Sequence, residues 1–137
     1  MKAYQETQDY WDNVFNRDKL YEPKPDIGIP EIDDAITWIA DTKGHVLDFG
    51  CGNGRVLFAT LLSGASEITG IDISPNGIKL ATSVAKEFNL TDRSTFICGG
   101  LNQLADQAAP QFDGAILFNV VDNLFPDDAK KLLNVIT

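Results

Sequence analysis

His45-Val46-Leu47-Asp48-Phe49-Gly50-Cys51-Gly52-Asn53-Gly54-Arg55 is the stretch that decides the fold: a short apolar run, an acid, and then glycine at every second position. The run has the length and apolar character of a buried strand, and the residues after Gly54 take up helical spacing. Glycine at 50, 52 and 54 removes three β-carbons where the strand hands over to the helix. A tight turn needs one such position; three imply that a ligand lies against the backbone, facing the amides that open the next helix. Two ligand classes drop out on spacing. An ATPase-type phosphate loop requires Lys-Ser or Lys-Thr after the last glycine, where this chain has Arg55-Val56. The dinucleotide pattern G-x-G-x-x-G requires glycine where Arg55 stands, and arginine there hinders close helix packing.

The pattern repeats on both sides of the loop. Upstream, Tyr4, Trp11, Val14 and Phe15 recur at helical spacing up to the Pro23-Lys24-Pro25 linker. After Pro30, Ile32, Ala35, Ile36 and Ile39 mark one face of a second helix, with Gly44 placed to cap its end. Downstream, a helix from about Gly54 to Leu62 leads to a strand over Glu67 to Ile71. Ser74-Pro75 then supplies an N-cap hydroxyl and a first-turn proline for a helix with Ile78, Ala81, Val84, Ala85 and Phe88 on one face. A third strand, Thr95 to Cys98, is followed by Gly99-Gly100, a short helix over Asn102 to Gln107, a fourth strand from Phe112 to Asn119, and a last helix opening at Pro126. Continuous apolar strands separated by helices specify an α/β domain with a parallel sheet covered on both faces.

The totals bound the function. With 137 residues, 44% of them apolar, the chain fits one domain spanning 1–137, residues 1–43 forming N-terminal helices and 44–137 the core. No apolar window reaches membrane-spanning length and no secretion signal opens the chain, so a cytoplasmic location without membrane contact is expected. A net charge of −9, from 11 basic and 20 acidic residues, disfavours nucleic-acid binding, which draws on lysine and arginine. Cys51, Cys98 and His45 match no zinc spacing, and no metal is expected. Cys98 reads as a small buried hydrophobe closing its strand. With the second strand between them, the two cysteines stand roughly 10 Å apart and stay free thiols.

Asp48-Phe49-Gly50-Cys51-Gly52-Asn53-Gly54 resembles the first motif of the class I S-adenosylmethionine-dependent methyltransferases: an acid, any residue, then G-x-G-x-G. Asp48 in that position implies a contact to the methionine part of the cofactor, with Gly50, Cys51 and Gly52 running beside it. Asp72, at the end of the second strand in Gly70-Ile71-Asp72-Ile73-Ser74, suits the two hydroxyls of a ribose, although nicotinamide-binding folds place an acid similarly. By resemblance Ile73 packs on the adenine, Gly100 and Leu101 border it, Phe118 and Asn119 stand beside the cofactor, and Trp11 lies on a helix folded over the site. The resemblance implies a Rossmann-like three-layer sandwich, strands in the order 3-2-1-4, and S-adenosylmethionine as cofactor with S-adenosylhomocysteine as product.

The chain departs from the family in three places. Gly99-Gly100 stands where many members have Gly-Asp, whose carboxylate binds the adenine amino group. Asp122-Asn123 replaces a common histidine pair; Asp122 reads as a helix cap or as a general base, and no catalytic residue is assigned. The last three strands of the family's seven-stranded sheet are not matched, which reads as a truncated product whose fourth-strand edge pairs with another copy in a homodimer. The expected activity is methyl transfer to a small-molecule acceptor. A cofactor-binding module without catalysis, and a nicotinamide-dependent oxidoreductase domain, are the alternatives.

Overall fold

In the computed structural model, which describes residues 4–106, 112–118 and 126–136, the stretch around the glycine loop is the centre of a parallel sheet. Strands β1 (His45–Phe49), β2 (Glu67–Asp72), β3 (Ser94–Cys98) and β4 (Gly114–Ile116) lie in the order β3-β2-β1-β4. Helices α1 (Gln5–Asn16), α2 (Pro30–Ala40), α3 (Arg55–Leu62), α4 (Pro75–Glu87), α5 (Leu101–Ala105) and α6 (Pro126–Ile136) surround it. This is the α/β class and the strand order expected from the sequence.

Alternation along β1 and β2 sends side chains to two cores. Val46 and Ile68, paired in register, join Leu57, Phe58 and Leu61 of α3 and Ile78, Ala81 and Val84 of α4. Leu47, Phe49 and Ile71 face the other way, against Leu104 of α5 and Leu132 of α6. Helices on both faces and strands on both sides bury β1 and β2 almost entirely, whereas β3 and β4 are partly exposed. Both central strands therefore read as unbroken apolar runs.

Several details differ from the sequence reading. Cys98 is exposed, because it ends β3 at the sheet's rim. On α2 the buried set is Ile36, Ile39 and Ala40, and Ala35 faces outward. The left-handed residue after α2 is Lys43, at φ +54°, not Gly44. Gly44 serves close approach instead: the Asp113 side chain fills the space of its β-carbon and accepts from the His45 amide at 2.8 Å. That hook explains why β4 covers only Gly114–Ile116 within the expected span. Phe112 leaves the ladder to set its ring against His45, 4.7 Å between centroids. Asn119 and Asp122-Asn123 lie outside the described residues.

The N-terminal segment is fastened at separate points. Asp12 of α1 accepts from the Ser74 hydroxyl at 2.9 Å and from the Asn76 amide at 2.8 Å, placing a carboxylate at the N-terminus of α4. Phe15 lies where two glycines leave room: a β-carbon on Gly52 would sit 2.7 Å from its ring, and one on Gly77 would sit 3.0 Å away. Ser63 at the end of α3 donates to the Pro25 carbonyl at 2.9 Å, holding down the linker.

Candidate cofactor site

Beyond the C-terminal ends of β1, β2 and β3 lies a cavity of about 530 Å³, where open parallel sheets bind ligands. The glycine loop forms its floor and continues the β1–β2 ladder: Gly50 and Cys51 donate to the Ile71 carbonyl at 2.7 and 3.1 Å. Gly52, at φ +57°, turns its amide onto Asp72 Oδ2 at 2.7 Å, and Gly54, at φ +88°, caps α3 in the left-handed region. Gly70, opposite Asp48 in register, leaves room for the Cys51 side chain.

Outside the cavity, Tyr21 braces the loop. Its hydroxyl donates to the Asn53 carbonyl at 2.7 Å, its ring carries the Arg55 guanidinium at 3.9 Å, and burial pushes its hydroxyl pKa up. Asn53 in turn donates to Asp18 at 2.9 Å.

Two carboxylates govern the electrostatics. Asp48 is 4% exposed, and its Oδ1 has no hydrogen-bond partner among the described residues. Burial first, and then the Asp72 charge, push its pKa up to about 8. Asp72 accepts from Gly52 through one oxygen and from Ser74 at 2.9 Å through the other. Its pKa is also raised, chiefly by burial, against the opposing pull of those backbone amides. The carboxylate keeps lone-pair capacity for further donors. The Ser74 side chain caps α4 by accepting from Gly77, which leaves Asp72 clear of that duty. Both thiols are free, and burial raises both pKa values, that of Cys51 the more.

Asp48, Gly50, Cys51, Gly52, Asp72, Ile73, Gly100, Leu101, Phe118 and Trp11 all line this cavity. The α1 lining extends beyond Trp11 to Tyr4, Thr7, Gln8 and Phe15, positions that share one helical face and were open to recognition from spacing alone. Gln103 lines it too; its signal is the third-residue position after Gly100, where a side chain turns back on the helix start. Its Oε1 accepts from the Gly100 amide at 2.7 Å. Among the described residues no helix is long and apolar enough to cross a membrane.

A family model described as a methyltransferase domain matches residues 40–137, the glycine loop and all four strands included. EEF1A lysine methyltransferase 2 of Mus musculus is 33% identical over 96 residues, covering 63% of this chain and 39% of that protein. Ribosomal protein L11 methyltransferase of Colwellia psychrerythraea is 32% identical over 91 residues, covering 66% of this chain and 28% of that protein. The chain thus spans well under half the length of either curated relative. Among solved structures, magnesium protoporphyrin IX methyltransferase from Synechocystis PCC 6803 with bound SAM superposes with a TM-score of 0.69 at 19% identity, covering 96% of this chain and 69% of that one. With the family model matching residues 40–137, most of the chain, and the strand order in agreement, the chain belongs to the class I S-adenosylmethionine-dependent methyltransferases.

Proposed function

We propose that this chain binds S-adenosylmethionine in the cavity above the glycine loop and serves methyl transfer, residues 44–137 forming the cofactor-binding core and the helices of 1–43 covering it. The observation that carries this reading is Asp48: a buried carboxylate with one oxygen unpartnered at the cavity wall, an arrangement that is costly unless a cation completes it. The methionine ammonium is such a cation. Asp72 has lone pairs for two ribose hydroxyls, and Ile73 offers the adenine an apolar face. When bound, the cofactor supplies a methyl group on a sulfonium, a leaving group that needs no further activation. The protein's task is positioning, and the reading needs no general base.

For the acceptor we infer a small molecule. Four side chains of α1, with Tyr4 at its N-cap, form part of the cavity wall, which suits an acceptor small enough to enter beside the cofactor. A second reading, a protein side chain, is favoured by the names of the two relatives and by the net charge of −9, which suits a basic partner.

Isothermal titration with S-adenosylhomocysteine, with NAD alongside, tests the cofactor. Binding of the first alone is expected; binding of NAD alone sinks the reading. Transfer of labelled methyl from S-adenosylmethionine into separated small-molecule and protein fractions then tests the acceptor. Label confined to protein overturns the small-molecule inference.

A further inference from the structure

We infer that Gln103 reads the purine of the cofactor as a hydrogen-bond donor, so that the site accepts a 6-oxopurine about as well as a 6-aminopurine. The inference rests on the cofactor reading above and names the specificity of that same site.

Gln103 stands at the cavity rim beyond β3, with Gly99, Gly100 and Leu101. Its side chain occupies the space that a residue at 99 would otherwise fill: a β-carbon on Gly99 would come within 2.5 Å of Gln103 Cγ and Cδ. The orientation of the amide follows from chemistry. Its partner is the Gly100 N–H, at 2.7 Å, which pairs only with an oxygen. The opposite end of the amide is therefore the NH2 group, and it has no hydrogen-bond partner among the described residues. A side chain at position 100 would meet no atom within 4 Å, so the space beside it is open, and glycine brings no carboxylate there. Asp48 and Asp72 lie at the ends of the neighbouring strands, and the Asp72 oxygens are engaged with the loop. Asn102 is exposed and can turn either end of its amide to a base.

Adenine offers N1 and N7 as acceptors beside its amino group. Hypoxanthine offers O6 and N7 as acceptors, and its N1 carries a proton and donates. A fixed NH2 is satisfied by either base, whereas a carboxylate is satisfied by the amino group and repelled by O6. At Gln103, discrimination of one purine against the other then amounts to less than a single hydrogen bond.

The test is titration of S-adenosylhomocysteine and S-inosylhomocysteine into the wild-type chain, Gln103→Glu and Gly100→Asp. Gln103→Glu keeps an oxygen for the Gly100 N–H and replaces the free donor by an acceptor. Gly100→Asp sets a carboxylate in the open space with Gln103 intact, so the two variants do not share a folding risk. Wild-type affinities within about threefold of each other are expected, with a shift of about tenfold or more toward the adenosine form in each variant. A wild-type preference for the adenosine form of tenfold or more, or a ratio that neither variant changes, overturns the role of Gln103 while leaving the cofactor reading standing. Failure of the wild-type chain to bind S-adenosylhomocysteine overturns both.

Discussion

Gly52 and Asp72 are joined at 2.7 Å, loop amide to carboxylate Oδ2, so the residue proposed to hold the ribose also holds the loop proposed to bear the cofactor. The second Asp72 oxygen accepts from Ser74 at 2.9 Å. Asp72→Asn must therefore turn an NH2 group toward one of two N–H donors. We expect a loss of about 1–3 kcal/mol in urea denaturation and at least a tenfold loss in affinity for S-adenosylhomocysteine. A variant as stable as wild type would show that the tie carries no free energy.

With the Asp48 carboxyl pKa pushed up to about 8 mainly by burial, the proposed contact to the methionine ammonium should make cofactor binding pH-dependent. A bound ammonium favours the ionised carboxylate, so binding below pH 8 releases a proton, and affinity rises with pH by up to about tenfold per unit before levelling off. Titrations in buffers of different ionisation enthalpy report the released proton. Stability runs the other way: the folded pKa lies above the unfolded one, so its contribution is complete below the unfolded pKa near 3.8 and is lost as pH rises toward 8. Asp48→Asn should flatten both profiles, and an unaltered proton release in that variant would remove Asp48 from the account.

Gly70 lies opposite Asp48 in β2, and a β-carbon there would sit 2.7 Å from Cys51 Sγ and 2.9 Å from both Leu57 and Phe96. Two of these contacts belong to buried side chains that cannot swing aside. Gly70→Ala should cost about 1–3 kcal/mol by overpacking and displace the loop at Cys51. Chemical denaturation measures the first effect; the second appears as weaker cofactor binding than the lost stability alone would produce.

Asp12 fastens α1 by accepting from the Ser74 hydroxyl and the Asn76 amide. Asp12→Ala should destabilise the chain by about 0.5–2 kcal/mol, as for loss of a helix cap. Hydrogen exchange over residues 5–16 should quicken while β1 and β2 stay protected, and cofactor dissociation should speed up more than association. Equal loosening of α1 and the sheet would mean that Asp12 supports the whole fold.

The sheet was legible because β1 and β2 are buried on both faces and so leave unbroken apolar runs. The loop was legible because three glycines with that spacing serve few purposes. What escaped depends on contacts remote in sequence. Cys98 closes an apolar strand like a buried residue, yet it lies at the sheet's rim, a placement set by strand order rather than by its neighbours in the chain. Gly44 has the position of a helix cap, but its use is to admit Asp113, far along the chain. Trp11 carried an aromatic signal toward the site and Phe15 shares its helical face, but that Phe15 seats in the gaps at Gly52 and Gly77 is visible only once the chain has folded.

The residues that cover the cavity precede their docking sites in the sequence by tens of positions. Asp12 and Ser74 are 62 residues apart, and Tyr21 and Asn53 are 32 apart, so α1 has nothing to dock on until the N-terminus of α4 has been made. Closing so long a loop costs more chain entropy than forming the β1-α3-β2 unit beneath it, and the pocket is whole only with α1 in its seat.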